Sequence, residues 1–386
     1  MKSVKSTDIK NKKVFLRVDF NVDLDEKGNI LSDFRIKAVI PTIQFLLLAG
    51  VEKIIIASHL GKPKGRDEKL SLKSIAEYLG KLLDQPVVFV DDCIGEKVKL
   101  EIEKSPLQSI IVLENLRFYE GEESNNMDFA KELANLADIF VNDAFGVCHR
   151  ENASIVAITN FLPSYAGLLL EKEIENLDKF NNNFEKPLVL ILGGAKISTK
   201  LPLINKFLDK ADKILLGGGL VNTILKANGK EIGQSIFESE LLKEAQKLNA
   251  ENIIMPNDFL IGKSLDDNQA RAVLAENVNI NDWILDIGPE TLNNFVKIIS
   301  NAKTIVWNGP VGYSENPVFR QGTNKIIEAI VNSQAFSAVG GGETLLALEQ
   351  AKALEKISFV STGGGAMLSY LSGEEMPGLK YLNSPR

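Results

Sequence analysis

The sequence predicts an α/β protein built as two doubly wound, Rossmann-like parallel-sheet domains joined by a helix. Three observations carry that reading. The chain has 386 residues, and at roughly 100–200 residues per domain this length favours two domains, each able to bury its own core. Short apolar runs rich in Val, Ile and Leu alternate with longer segments of helical periodicity, the pattern of βαβ units with strands buried on both faces. The series breaks once, at a helical stretch over residues 167–180 (GLLLEKEIENLDKF) followed by Asn181-Asn182-Asn183, and then starts again.

In the first half, strands are expected at residues 14–18, 54–57, 87–90, 110–113 and 139–141, each almost wholly apolar. Helices are expected between them, at 36–49, 72–83 and 128–136. In the second half, strands are expected at 188–192, 214–216, 253–255, 284–287, 304–307, 336–339 and 359–361, continuing the βαβ alternation. No low-complexity segment or short-period repeat interrupts either half.

Composition removes several function classes. The formal net charge is −7, so the chain lacks the global positive field of a nucleic-acid binder. Any anionic ligand must be held by local positive charge, which prevails over distant acidic surface because screening acts over roughly 8 Å. Two cysteines, Cys93 and Cys148, make no disulfide framework, which points to a reducing, cytoplasmic setting. The N-terminal residues are polar and basic with no apolar segment behind them, and no apolar run reaches membrane-spanning length. No membrane association is expected.

Open α/β sheets collect ligands at the carboxyl ends of their strands. In the first half those ends read Arg17-Val18-Asp19-Phe20-Asn21, Ser58-His59-Leu60-Gly61, Glu114-Asn115-Leu116-Arg117 and Asn142-Asp143-Ala144-Phe145. In the second half they read Gly193-Gly194-Ala195-Lys196, Gly217-Gly218-Gly219, Asn308-Gly309-Pro310, Gly340-Gly341-Gly342 and Gly363-Gly364-Gly365. One half therefore offers basic and amide side chains, the other glycines.

Glycine turns after buried strands let backbone N–H groups approach a phosphate, and a following helix adds its positive end. A single such turn is as readily a packing requirement; repetition at successive strand ends favours a phosphate cradle. The common nucleotide fingerprints are absent. Gly262-Lys263-Ser264 ends like a P-loop but has Asn257 where the first glycine belongs, and Gly217-Gly218-Gly219 meets Asn222 at the last position of G-x-G-x-x-G. Lys196 and Lys200 are spaced i, i+4 at an expected helix start, which would place two ammonium groups on one face beside an anion.

In the first half arginine is the marked choice. Only eight of the 44 basic residues are arginine, and Arg17, Arg35, Arg117 and Arg150 all fall near its strand ends. Arginine grips phosphate or carboxylate bidentately where lysine gives a point charge. The two histidines, His59 and His149, lie in the same loops. No cluster has zinc-like spacing.

The strings RVDFN (17–21), HLGKPKG (59–65), ENLRFYEG (114–121), VNDAFG (141–146), LGGAK (192–196), VWNG (306–309) and STGGGA (361–366) resemble the phosphoglycerate kinase family in order and spacing. The resemblance implies a 3-phosphoglycerate domain over residues 1–166, completed by a C-terminal return at 368–386. It further implies an interdomain helix at 167–181, a nucleotide domain at 182–367, and a cleft between the domains. Asp19, Asn21, Arg35, His59, Lys62, Arg117 and Arg150 are expected to hold the substrate, with Arg17 and His149 nearby. Catalysis falls to Arg35, Lys196, Gly363 and Gly364. ATP or ADP is expected at Gly194, Lys200, Gly217, Gly218, Asn308, Glu315, Gly340, Gly341, Gly342, Glu343 and Thr344. Glu315 would meet the ribose, and Glu343 the Mg²⁺ that accompanies the nucleotide. The implied activity is reversible phosphoryl transfer between 1,3-bisphosphoglycerate and ADP in glycolysis and gluconeogenesis, by a hinge-bending monomer.

The chain departs from the family pattern at five places. Glu343 stands for the usual Asp, Lys62 for Arg (with Arg66 as a compensating cation), Thr199 for Asp, Asn152 for a second His, and Cys148 for a smaller residue. Two other classes stay open on the residues alone: a kinase of another acyl phosphate, and a non-catalytic nucleotide-binding or scaffold protein. The arginine-rich half argues against the first, since a small monocarboxylate does not require so much charge. Retention of Arg35, Lys196 and a carboxylate at 343 argues against the second.

Overall fold

The computed structural model describes residues 1–25 and 27–383. They divide into two compact units: Met1–Glu175 with the chain from Glu375 on, and Asn176–Glu374.

The first unit holds a six-stranded sheet of β1 (Lys13–Arg17), β2 (Lys53–Ala57), β3 (Val87–Val90), β4 (Ser109–Leu113), β5 (Ile139–Asn142) and β6 (Ser164–Ala166). Their order is β3-β4-β2-β1-β5-β6, and every pairing is parallel. Side chains alternate across a pleated strand, and here both faces are apolar. Val14, Leu16, Ile54, Ile56, Ile110 and Val112 join one core with Ile36, Val39 and Ile43 of the helix Phe34–Leu48. Phe15, Ile55, Ile111, Leu113 and Phe140 join the other, with Val98 and Ile102 of Glu96–Lys104 and Leu133 of Met127–Ala134. The near-continuous apolar strands are the sequence image of these two cores.

The second unit holds β7 (Leu188–Leu192), β8 (Lys213–Leu216), β9 (Ile253–Ile254), β10 (Asp258–Gly262), β11 (Arg271–Leu274), β12 (Trp283–Ile287), β13 (Thr304–Asn308), β14 (Phe336–Gly340) and β15 (Phe359–Val360). Six of them form a parallel sheet in the order β15-β14-β13-β7-β8-β9. The run at 284–287, expected to continue the βαβ series, does not belong to that sheet. It is the body of β12, which pairs antiparallel with β10 in a separate three-stranded sheet, β11-β10-β12. A short, mostly apolar run fits either sheet, and its partner β10, bounded by Asp258 and Gly262, carries too weak a pattern to announce the pairing.

The helix Leu168–Asn182 contains the division between the units, which falls between Glu175 and Asn176. Asp143, at the end of β5, accepts from the backbone N–H of Leu170 at 3.0 Å in the first turn of this helix. The helix Gly364–Ser372 lies in the second unit, and the chain belongs to the first unit from Glu375 on. There the helix Pro377–Asn383 is tied down by Gly378 N–H donating to the Cys148 carbonyl at 2.9 Å and Lys2 N–H donating to the Leu382 carbonyl at 3.0 Å. Residues 384–386 of the expected C-terminal return lie outside the described residues.

Candidate functional site

In the first unit the parallel sheet puts the ends of β1, β2, β4 and β5 on one edge. The loop after β1 turns back on that after β2: Phe20 N–H donates to Ser58 Oγ at 2.8 Å, and Gly61 N–H to Asn21 Oδ1 at 2.8 Å. Asn115, after β4, clamps the same loop, accepting from Leu60 N–H at 3.2 Å and donating to the Leu60 carbonyl at 2.8 Å. Arg117 then donates to the Gly61 carbonyl at 2.6 Å.

This framework gathers Arg17, Asp19, Asn21, Arg35, His59 and Arg117. Asp19 lies 3.8 Å from the Arg35 guanidinium and 3.8 Å from His59 Nδ1. Arg35 donates to the Asn21 carbonyl. Arg17, only 1% exposed, donates through Nε to Ser154 Oγ at 2.8 Å and approaches His59 Nδ1 at 3.3 Å through Nη2. Burial pushes the Asp19 carboxyl up, but Arg35 and Arg17, with the backbone N–H of Asn21, outweigh it and hold the group below the usual carboxylate range. Burial pushes His59 well below the usual imidazole value; Asp19 opposes this, while Arg17, Arg117 and Arg35 add to it. His59 is therefore a neutral ring among cations. Arg117 is also lowered, first by burial, with Glu123 opposing at 3.2 Å and Arg150 and Arg17 adding repulsion. Buried guanidinium groups pressed together in this way favour an anion among them.

Lys62 and Arg150 stand at the exposed rim, Arg150 donating to His149 Nε2 at 3.3 Å. Arg66, expected to compensate for Lys62, is engaged elsewhere. Its guanidinium is committed to Glu68 at 3.1 Å and to the Asp91 carbonyl at 3.0 Å, and it lies over the Phe118 ring. Sequence reasoning did not single out Glu122 or Ser154, the groups that hold Arg17. Glu122 is 1% exposed in a polar run that reads as solvated surface.

In the second unit the loops after β7, β8 and β13 are laced together. Gly193 N–H donates to the Asn308 carbonyl at 3.0 Å, Gly194 N–H to that of Pro310 at 2.8 Å, and Gly218 N–H to that of Val311 at 2.8 Å. Two neighbouring glycines show the two reasons for the composition. A Cβ on Gly193 would lie 2.0 Å from the Pro310 oxygen, so the close approach of two loops demands glycine there. Gly194 has φ +88° and nothing within 4 Å of where a Cβ would point, leaving its backbone open toward a ligand.

Lys196 and Lys200 do not share a helix face. The helix runs Leu201–Phe207 with Pro202 in its first turn; proline fits there because the missing N–H has no helical partner to lose, and it disfavours helix before it. Lys196 is exposed in the preceding turn, whereas Lys200 is buried and donates its Nζ to Asn308 Oδ1. Burial pulls the Lys200 ammonium down to about 8, against the pull of Glu343. Around Asn308 the other glycine turns converge. Its amide donates to the Gly364 carbonyl at 3.4 Å, and Gly309 N–H donates to Thr344 Oγ1 at 2.9 Å. Gly341 abuts Gly364 so closely that a Cβ on Gly364 would lie 2.7 Å from its Cα. Helices begin at Gly342 and at Gly364, presenting N-termini suited to phosphate. Gly217 and Gly340 close these turns from behind, against Val311 and Met367.

Beside this cradle lies a pocket of about 210 Å³ lined by Gly194, Gly218, Phe259, Leu285, Glu315 and Glu343, among others. Its apolar wall comes from β10 and β12, the antiparallel strands that the βαβ reading had not foreseen. Glu343, in the first turn of Gly342–Gln350, is exposed at the pocket; lost hydration, then repulsion from Glu315, raises its carboxyl above the usual range. Among the described residues no three His, Cys, Asp or Glu side chains cluster to hold a metal. A single carboxylate at a phosphate cradle instead suits Mg²⁺ that arrives on a nucleotide, since Mg²⁺ binds through one or two carboxylates plus phosphate oxygens.

Residues 4–374 match the family described as phosphoglycerate kinase. A phosphoglycerate kinase of Geobacter metallireducens is 46% identical over 383 residues, 97% of this chain and 96% of the relative. A crystal structure of the phosphoglycerate kinase of Pyrococcus horikoshii OT3 superposes with TM-score 0.90 at 34% identity, covering 99% of this chain and 98% of that one. The phosphoglycerate kinase structure from Coxiella burnetii gives TM-score 0.81 at 38% identity and 98% coverage of both.

Proposed function

The chain belongs to the phosphoglycerate kinase family and is a kinase that moves a phosphoryl group reversibly between 1,3-bisphosphoglycerate and ADP; from that premise we propose how its residues divide the work. The first unit holds 3-phosphoglycerate through Asp19, Asn21, Arg35, His59 and Arg117, with Lys62 and Arg150 at the rim. The second holds the nucleotide over Gly194, Gly217 and Gly218, with its phosphates at Lys200, Asn308, Gly340–Gly342 and Thr344. Glu315 takes the ribose, and Glu343 the Mg²⁺ carried by the nucleotide.

The attacking carboxylate of 3-phosphoglycerate has a free pKa of about 4 and is already ionised at neutral pH. No general base is needed. Catalysis consists of positioning and of neutralising the charge on the phosphoryl group in transfer. Arg35, Lys196 and the backbone N–H groups at Gly363 and Gly364 supply that neutralisation. The two grips are carried by different units, so transfer requires a hinge motion, assigned to the helix Leu168–Asn182. We place the enzyme in the cytoplasm as a monomer; both cysteines are buried free thiols, and among the described residues no helix is long and apolar enough to cross a membrane.

The observation that carries the reading is the pairing of buried arginines at the strand ends of one unit with a glycine-built phosphate cradle in the other. The decisive experiment is a coupled assay for ADP formation from ATP, Mg²⁺ and 3-phosphoglycerate. Turnover with acetate, carbamate or aspartate in its place, and none with 3-phosphoglycerate, would overturn the reading.

A further inference from the structure

Behind the substrate residues runs a buried chain of polar contacts that none of the assigned roles uses. Glu122 accepts from Ser154 twice, from the backbone N–H at 3.0 Å and from the hydroxyl at 2.6 Å. Ser154 Oγ in turn accepts from Arg17 Nε at 2.8 Å. The Glu122 carboxylate lies 3.7 Å from Arg17 Nη2, and both side chains are 1% exposed. A guanidinium held on two sides in this way has one orientation, and in that orientation Nη2 faces His59 Nδ1 at 3.3 Å.

Arginine can only donate, so the His59 nitrogen that faces it must carry a lone pair. A neutral imidazole with an accepting Nδ1 carries its proton on Nε2. Among the described residues none meets Nε2, while Asp19 lies 3.8 Å from the Nδ1 side. The charged groups acting on the ring are Asp19, Arg17, Arg117 and Arg35, three of the four opposing a second proton.

We propose that Glu122 is a positioning residue for the substrate site: with Ser154 it holds the Arg17 guanidinium against Nδ1 of His59, and so fixes the tautomer that offers Nε2–H to an anionic ligand. The opposite tautomer would turn a donor toward Arg17 and a lone pair toward the ligand, losing a hydrogen bond on each side. The proposal deepens the substrate reading of this site and rests on it for the ligand's name only.

The test is ¹⁵N NMR of the imidazole rings in the ligand-free protein. With two histidines in the chain, the His59 signals are those that remain in His149→Asn. In the native protein we expect one tautomer, protonated at Nε2 and unchanged from about pH 6 to about pH 8. In Glu122→Gln the two ring nitrogens should move toward averaged shifts. KM for 3-phosphoglycerate should rise about tenfold while kcat changes less than about threefold. Ser154→Ala should move both readouts in the same direction by less, and it carries the test if Glu122→Gln does not fold. A proton on Nδ1 in the native protein, or an undisturbed Nε2–H tautomer in a folded variant, overturns the proposal. The spectra need no substrate, so this failure is distinct from failure of the substrate assay.

Discussion

The ammonium of Lys200 is hydrogen-bonded to the side-chain oxygen of Asn308, joining the turn after β7 to the end of β13. Burial lowers this lysine to about 8, so its charge is partly lost just above neutral pH. A phosphate at the cradle would restore the charge, because an adjacent anion favours the protonated form.

The first prediction follows from that sign. The charged form predominates below about 8 and fades above it, so KM for the nucleotide should climb as pH rises from about 8 to about 10. Lys200→Arg, which stays charged, should flatten that climb. A nucleotide KM with the same pH profile in both proteins would remove Lys200 from the phosphate site.

Lys196 is assigned to the transferring group, and Arg35 both to the transferring group and to the grip on 3-phosphoglycerate. Arg35→Ala should lower kcat by about a hundredfold or more and leave nucleotide affinity nearly unchanged. Lys196→Ala should behave alike in single-turnover kinetics. If it raises only the KM for ATP, the lysine is a binding residue.

For Glu343→Gln, weakened Mg²⁺-nucleotide binding is expected, read as a shift of the Mg²⁺ dependence to higher concentration by about tenfold. An unaltered Mg²⁺ titration would send the metal to another ligand.

Asp143 yields a stability prediction. It is fully buried at the start of the linking helix, its Oδ2 finds no partner among the described residues, and burial lifts its carboxyl to about 7. A folded value above the unfolded one means the native state holds the proton more tightly. The stabilisation is therefore complete below the unfolded value of 3.8 and is lost as pH rises through about 7. Asp143→Asn keeps the acceptor for Leu170 and cannot ionise. Its Tm should exceed the parent's by several degrees near pH 8, with the difference shrinking as pH falls and vanishing only below about pH 4. Equal Tm values across that range would show that Asp143 does not carry the pH dependence.

What the sequence made legible was whatever a short window contains. Val14 and Leu16 face one core and Phe15 the other, so the strand announces its double burial within a few residues. The arginines and glycines at strand ends were legible because the parallel fold places every such end on one edge. Hidden were relations between distant segments. The pairing of β10 with β12 depends on a partner with weak pattern, and Glu122 looks like surface until Ser154 and Arg17 close over it. The i, i+4 spacing of Lys196 and Lys200 reads as one helix face, whereas the helix starts only at Leu201, with Pro202 in its first turn.

The Lys2–Leu382 and Gly378–Cys148 hydrogen bonds set an order for biosynthesis. On a ribosome the first unit emerges first, yet one of its helices, Pro377–Asn383, is translated after the whole second unit. The second unit is continuous in sequence and can complete itself while its predecessor still waits. The earlier-born half must therefore wait, unfinished and reliant on avoiding wrong partners, until the codons for residues 377–383 have been read.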